Sequence, residues 1–329
     1  MNRSKDRTET AGDVTVIIRR CGERTQEAAE AVVRQWVAPE QIIRVQTSPF
    51  AAALAEGHRR GIEAGRTWTL CLDADVLPNP AALRTMLGVA RVQRGDVFEI
   101  QGFVADKFFG IHRAAGNHLY RTSTLSRALA CIDGGPDDLR PEHHSILRMR
   151  RMGFRDLQTP VVVGLHDFEQ HPADVHRKCF LHAFKHAADR DYLRQRFDRL
   201  SASDDDFRMA RRALDDADRY TGAVRVDQNF RRDAARAAVD DLDLGDREPL
   251  DRDDPIVRPS EGLIAFERIA ERSFEGESRQ AELLHHYFGK PHEPSRWQRR
   301  WNRWRSKLRR RSSDPLAPPP GVGVGRKAA

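Results

Sequence analysis

Cysteine is scarce in this chain. Four cysteines occur among 329 residues, and Cys21, Cys71, Cys131 and Cys179 are far apart with no Cys-x-x-Cys pair. Structural zinc sites and small disulfide-stabilised folds both need several cysteines at close or regular spacing. Neither is therefore expected here. Reduced thiols and a cytoplasmic location are the simpler interpretation.

Long apolar runs are absent as well. No segment approaches the roughly 18 consecutive apolar residues of a membrane span, and residues 1–12 lack the apolar stretch of a secretory signal. We expect residues 1–12 to be disordered. The glycine repeat near residue 321 is not followed by Lys-Ser or Lys-Thr, which excludes a phosphate loop of the Walker type there.

Apolar runs alternate with helical patterns over the first 95 residues. Strands are predicted at 14–18, 41–46 and 67–72, and helices at 27–36, 50–64 and 79–94. This alternation predicts an α/β fold, with a Rossmann-type, parallel-rich sheet and helices on both faces. We expect this core to span 13–170. Charge-rich helices follow over 171–290, the first of them at 173–200, and form an accessory region whose role the sequence leaves open.

Two carboxylates stand where the third predicted strand ends, in Leu72-Asp73-Ala74-Asp75. Buried carboxylates need a cation or hydrogen-bond donors. Ligands of open α/β sheets bind just beyond the carboxyl ends of the strands. The Asp-x-Asp pattern therefore suits one divalent ion together with a phosphate-bearing substrate. The alternative is a solvated acidic turn.

The order of several motifs resembles the glycosyltransferases of the GT-A fold, especially the family-two nucleotide-sugar enzymes. Their Leu-Asp-Ala-Asp metal motif is matched at 72–75. Their opening segment, Val-Ile-Ile-Pro-Thr-Tyr-Asn-Glu, is matched at 16–23 in its strand and in Glu23, although residues 19–22 differ. Pro141 and Glu142 open a helix where these enzymes carry an acidic pair. His166 follows a later strand, where many of them supply a metal-binding histidine.

This resemblance covers residues 14–170 and implies transfer of a sugar from a nucleotide-sugar donor to an acceptor hydroxyl, with Mn²⁺ or Mg²⁺ as cofactor. It implies that Asp75 and His166 bind the metal and that Glu142 is the catalytic base of an inverting reaction. Arg19, Glu23 and Asp73 are expected to face the nucleotide.

Each of these residues also has a structural interpretation. Glu142 suits the first turn of a helix, where a negative charge complements the helix dipole. His166 suits a hydrogen bond at a strand end, and Arg19 and Glu23 suit surface salt bridges. The family's second strand usually ends in an acid that contacts the nucleobase. Residues 46–48 are Gln, Thr and Ser here, so the base of the donor is left open.

A basic segment follows the helical region. Trp297, Trp301, Trp304 and Leu308 recur on one helical stripe, and arginines fill much of 296–311, where much of the net charge of +7 is concentrated. Such a helix at 291–312 is typical of an interfacial anchor on an anionic membrane surface. Nucleic acid is the less favoured partner. Residues 313–329 are rich in proline and glycine and are expected to form a disordered tail.

These features favour an enzyme of envelope or surface polysaccharide synthesis that acts on a glycan or lipid-linked acceptor at the inner face of the membrane. The alternative is a non-catalytic membrane- or nucleic-acid-associated interaction protein that retains a degenerate GT-A scaffold. Neither the donor sugar nor the oligomeric state follows from the sequence.

Overall fold

A computed structural model describes residues 11–133, 135 and 138–288. Its strands are β1 (Val14–Arg19), β2 (Ile42–Val45), β3 (Trp68–Asp73), β4 (Val76–Pro78), β5 (Val97–Asp106), β6 (His112–Ala114), β7 (Asn117–Arg121) and β8 (Arg155–His166). Its α-helices are α1 (Gln26–Val33), α2 (Phe50–Ala64), α3 (Pro80–Arg91), α4 (Leu125–Ala130), α5 (Pro141–Arg151), α6 (Pro172–Lys185), α7 (Arg190–Leu200), α8 (Asp205–Asp218), α9 (Arg232–Asp241), α10 (Pro259–Ile269) and α11 (Phe274–Phe288).

The strands form one mixed sheet in the order β2-β1-β3-β7-β5-β8-β4, and β6 pairs with β5. β1 is parallel to both β2 and β3, which confirms the predicted parallel unit. β5 and β8 are also parallel. β7 lies antiparallel between β3 and β5, and β4 is antiparallel to β8. The predicted α/β fold class is confirmed, and the second half of the sheet is more mixed than the first.

Helices cover both faces of the sheet because successive strand residues point to opposite sides. On β1, Val16 and Ile18 join the cluster that contains the α3 residues Leu83 and Met86. Ile17, between them, joins a second cluster with residues of α2, α4 and α5. All six residues of β1 are buried, as expected for a strand with helices on both sides.

The helices beyond the sheet have a hydrophobic cluster of their own, into which Phe108 and Phe109 project from the end of β5. The single helix predicted at 173–200 is in fact two, because α6 ends at Lys185 and α7 begins at Arg190. The chain divides into compact units at 1–283 and 284–329. The predicted disordered N-terminus lies almost wholly, and the predicted basic helix and tail wholly, outside the described residues. No helix in the described ranges is long and apolar enough to cross a bilayer.

Candidate active site

The ends of β1 and β3 bring the first two predicted site residues together. Arg19 and Asp73 are register partners on these parallel strands, and Arg19 Nε donates to Asp73 Oδ1 at 2.7 Å. The rest of the guanidinium turns to Glu142 on α5, with nitrogen-to-oxygen distances of 2.8 and 3.4 Å. Arg19 is 4% exposed and stacks over Phe50 at 5.0 Å from the ring centroid. A single buried arginine therefore joins two carboxylates at the sheet edge.

Glu142 is held from several sides. Besides Arg19, Tyr120 Oη donates to Glu142 Oε1 at 3.0 Å, and His118 Nε2 lies 3.1 Å from Glu142 Oε2. Burial raises the pKa of Glu142, but the charges of Arg19 and His118 outweigh it and hold that pKa well below its usual range. The same contact, together with Glu99, raises the pKa of His118 to about 10 in spite of burial. These contacts favour Glu142 as a fixed counter-ion, and its role as a base stays a prediction.

Asp75 and His166 also meet, on the pair formed by β4 and β8. Val76 and His166 are register partners, and the Asp167 N–H donates to the Asp75 carbonyl at 3.2 Å. His166 Nε2 lies 3.6 Å from Asp75 Oδ1. Ligand atoms of Asp75, His166 and Asp167 all lie within 4.8 Å of one another. Asp75 Oδ1 and Asp167 Oδ2 are buried and accept no hydrogen bond within the described part of the chain.

The second nitrogen of His166 has a partner behind the site. Nδ1 lies 2.8 Å from Asp106 Oδ2, and Arg113 Nε donates to the same oxygen at 2.6 Å. A carboxylate behind a ligating histidine fixes its ring and its tautomer. Burial lowers the pKa of His166, but Asp167 and Asp75 raise it above the usual value. The ring is therefore oriented with Nε2 towards Asp75.

Lys178 on α6 is a site residue that the motifs did not predict. Its ammonium contacts both Asp75 Oδ2 and Asp167 Oδ1. Burial raises the pKa of Asp75, but Lys178 and His166 outweigh it and bring that pKa to about 2. One sequence signal could have indicated this lysine, because Lys178 lies on the same helix side as the buried Val175 and Cys179.

Glu23 lies in the loop after β1 and within the electrostatic reach of Asp75. Its Oε2 accepts from the Cys21 N–H at 2.7 Å. Burial and the charge of Asp75 raise the pKa of Glu23. Asp73 likewise has a raised pKa, because burial and the charges of Asp75 and Glu142 outweigh the opposing effect of Arg19. The structure thus gathers all six predicted site residues at one edge of the sheet.

A second unpredicted cation, Lys185, lies two turns beyond Lys178 on α6. Burial and the charges of Lys178, Arg140 and Arg113 together lower the pKa of Lys185 to about 8, against the opposing effect of Asp73. Arg140 donates to the Lys185 carbonyl. Among the described residues, no hydrogen bond or ion pair engages the Lys185 ammonium. Positive charge is therefore concentrated beside the acidic residues.

The loop expected to face the nucleobase contacts a segment far along the chain. Ser48 Oγ donates to Asp227 Oδ2 at 2.9 Å, and the Phe50 N–H donates to the Val226 carbonyl at 3.2 Å. An acid is therefore present beside residues 46–48, although it comes from the segment before α9. No pattern in the sequence indicated that contact.

No protein-family profile matches the chain, and no curated protein matches its sequence. Solved structures do match. A mannosyltransferase from Pyrobaculum calidifontis, in complex with GDP-Man and Mn²⁺, is 16% identical over 92% of this chain and 87% of its own, with a TM-score of 0.36. A glycosyltransferase involved in glycosylation of the major capsid of PBCV-1 is 12% identical over 46% of this chain and 92% of its own, with a TM-score of 0.34.

A third match is a CMP:2-keto-3-deoxy-manno-octonic acid synthetase in complex with CTP. It is 12% identical over 46% of this chain and 90% of its own, with a TM-score of 0.33. At such TM-scores the likenesses are weak, and the α/β fold assignment rests on the strand order and registers given above.

Proposed function

We propose that this protein is a glycosyltransferase that moves a sugar from a nucleotide-sugar donor to an acceptor hydroxyl with the help of a divalent ion. One observation carries the proposal. Asp75, His166 and Asp167 form a group suited to a metal ion, and it lies beside the buried Arg19–Asp73 pair at the sheet edge. Open α/β sheets bind nucleotides at such an edge.

The residues fit an ion such as Mn²⁺ or Mg²⁺. Asp75 and Asp167 each have one buried oxygen that accepts no hydrogen bond from the part of the chain that the structure describes. His166 is oriented by Asp106 so that Nε2 faces Asp75. Carboxylate oxygens are the ligands that suit Mg²⁺ and Mn²⁺, and the neutral imidazole ring is a common metal ligand in proteins. A bound ion would neutralise negative charge on the departing nucleotide diphosphate.

The chain's own cations support binding of the same anionic group. The Lys185 ammonium is unengaged among the described residues, and burial together with the charges of Lys178, Arg140 and Arg113 lowers its pKa to about 8. A diphosphate placed beside Asp75 would give this ammonium a charged partner. Arg19 engages Asp73 Oδ1, and the other oxygen of Asp73 is assigned to the ribose side of the donor. Glu23, within the electrostatic reach of Asp75, is assigned to the nucleotide as well.

Inversion, with Glu142 as the base, remains part of the proposal. A base must take a proton from the acceptor hydroxyl within hydrogen-bond reach. In this structure Arg19, Tyr120 and His118 occupy hydrogen-bonding positions around the Glu142 carboxylate. Transfer therefore requires the carboxylate to exchange one of these partners for the acceptor.

A polysaccharide or lipid-linked acceptor, and a membrane surface bound through 296–311, are proposed from the sequence alone. The alternative function, a non-catalytic interaction protein on a degenerate scaffold, lacks a comparable structural observation. The acids, His166 and their supporting partners are all assembled at one edge. A purely structural scaffold gives no reason for two buried carboxylate oxygens to accept no hydrogen bond from the described residues.

Binding of nucleotide diphosphates and nucleotide sugars, measured by calorimetry with and without Mn²⁺, tests the proposal. We expect at least one donor to bind more tightly with Mn²⁺. Asp75→Asn should remove that dependence, whereas Asp233→Asn, at an exposed acid on α9, should retain it. If no nucleotide diphosphate binds the wild-type protein under any condition, the proposed function is wrong.

A further inference from the structure

Lys178 occupies the position of a counter-ion between two carboxylates of the proposed metal site. Its ammonium contacts one oxygen of Asp75 and one of Asp167. The remaining oxygen of each acid is buried and accepts no hydrogen bond from the described residues. The two acids thus present one side to a fixed cation of the protein and the other side towards His166.

The groups around this pair are close to charge balance without a metal ion. Asp75, Asp167 and Asp106 supply the negative charges. Lys178 and Arg113 supply positive ones, and His166 contacts all three acids. Adding a divalent ion would place two further positive charges next to the Lys178 ammonium. Because like charges repel strongly where water is scarce, the ion and the ammonium cannot both be bound at full strength.

We propose that Lys178 is a resident cation that competes with the divalent ion for Asp75 and Asp167. This inference rests on the proposed function, because it presumes that the acids bind a metal. Without the ion, Lys178 neutralises the acids and holds the link between β4, the end of β8 and α6. When the ion binds, Lys178 leaves at least one carboxylate. The freed ammonium then remains beside the ion as a donor for an anionic phosphate.

The position of Lys178 gives this exchange a short path. Lys178 lies near the middle of α6, a helix whose backbone is fixed by its buried face, including Val175 and Cys179. The side chain is 25% exposed, whereas Asp167 is fully buried. A four-carbon side chain with partial access to solvent can swing outward through rotamer changes. No movement of the helix is needed.

Mn²⁺ affinity, measured by the EPR signal of free Mn²⁺ in the absence of any donor, tests the competition. We expect Lys178→Met to bind Mn²⁺ at least tenfold more tightly than the wild type. Arg84→Met is the matched control, because it removes one positive charge from an exposed position on α3. Its affinity should change much less. Without metal the Tm of Lys178→Met should be lower than that of the wild type, and Mn²⁺ should raise it further than it raises the wild-type Tm.

The outcomes separate this inference from the proposed function. Equal Mn²⁺ affinity in the wild type and Lys178→Met would overturn the competition and leave the metal site intact. Absence of binding in both proteins would overturn the metal site itself. Binding by Lys178→Met alone would support the competition and contradict metal dependence of the natural chain.

Chemical labelling provides a test that needs no variant. Reductive methylation of the wild type, followed by mass spectrometry, reports how accessible each lysine ammonium is. We expect methylation of Lys178, relative to that of Lys107, to rise when Mn²⁺ is added, since Lys107 is buried against Asp204 and Asp206 on another part of the chain. Unchanged labelling of Lys178 at saturating Mn²⁺ would contradict displacement, even if Lys178→Met failed to fold.

Discussion

Arg19 and Asp73 end neighbouring parallel strands at paired register positions, and a 2.7 Å ion pair joins their side chains. The same guanidinium continues to Glu142 on α5, with which it also forms an ion pair. Arg19 therefore ties the metal-motif strand to the helix that carries the predicted base. Arg19 is one of the residues at which the first loop differs from the family pattern. In this chain it is the residue that connects β3 to α5.

Removal of Arg19 should be costly for the fold. Arg19→Met leaves Glu142 and Asp73 without their shared counter-ion in a buried setting. Loss of one partner of a buried pair typically costs about 3–5 kcal/mol. We expect the free energy of unfolding, measured with urea, to fall by that order. Arg60→Met, which removes only half-exposed pairs with Glu56 and Glu63, should cost about 1 kcal/mol or less. Similar losses in both variants would contradict the role of Arg19.

Glu142→Gln distinguishes a base from a counter-ion. Loss of a general base lowers kcat by about 10²–10⁴, and we expect that loss because Glu142 is the proposed base. A residue that is only a counter-ion would instead lose stability, through its contacts with Arg19, Tyr120 and His118, while kcat at saturating donor fell by less than about tenfold. The measurements are urea unfolding and initial rates of transfer. A large loss of kcat in a fully stable variant would establish Glu142 as the base.

The pH dependence gives Glu142 a second signature. Its pKa in the folded protein is well below the usual value, so its ionised form stabilises the fold above the unfolded-state pKa of about 4.3. This contribution is lost as pH falls through the folded-state pKa. The stability difference between wild type and Glu142→Gln should therefore be largest near pH 7 and shrink below about pH 4. A difference that is constant with pH would contradict the charge-based explanation.

Lys185 should make donor binding sensitive to alkaline pH. Its pKa is lowered to about 8 by burial and by the neighbouring cations, so the ammonium loses its proton as pH rises through 8. If the ammonium contacts the donor phosphates, the KM for the donor should rise over this interval by roughly tenfold, because a hydrogen bond to a charged group contributes about that factor to binding. Initial rates between pH 6.5 and 9.5 measure this rise.

Two variants at Lys185 serve as controls for that profile. Lys185→Arg retains its charge throughout the interval and should keep a low, flat donor KM. Lys185→Met should have a high KM that does not change with pH. An unaltered rise of KM in Lys185→Met would assign the titration to another group.

The sequence predicted the site residues that lie at or just after the ends of strands. Alternation of strands and helices places Asp73 and the loop of Arg19 and Glu23 on one edge, because parallel strands end together. The position of His166 could also be predicted, because it lies at the end of a predicted strand. Lys178 and Lys185 could not be predicted from the motifs, because both lie in the predicted helix 173–200. Only the packing of α6 against Phe108 and Phe109, just beyond β5, brings these lysines near the acids.

The partners of Glu142 were beyond prediction for a different reason. His118 and Tyr120 reach it from β7, which lies antiparallel between β3 and β5. Strand order in a mixed sheet depends on long-range pairing and is not encoded in a local pattern of apolar residues. The same limit applies to Asp227, which meets Ser48 across a large separation in sequence.

Gly164 tests whether the pairing of β4 with β8 sets the proposed metal site. A Cβ on Gly164 would lie 2.8 Å from Pro78 Cα and would also meet the Leu77 carbonyl. Because these are backbone atoms, the two strands must move apart. Asp75 and His166 lie just beyond this point on the same strand pair. We expect Gly164→Ala to lower the free energy of unfolding by about 1–3 kcal/mol and to weaken Mn²⁺ binding at least tenfold.

Gly88→Ala provides the matched control for that change. Gly88 is exposed on α3, and a Cβ there would meet no atom within 4 Å. Alanine in a helix interior should raise the free energy of unfolding by about 0.5–1 kcal/mol and leave Mn²⁺ affinity unchanged. If Gly164→Ala loses stability but keeps wild-type Mn²⁺ affinity, then Asp75 and His166 do not bind one ion together across the β4–β8 pair. If both properties are lost, the separation of those two strands is what sets the metal site.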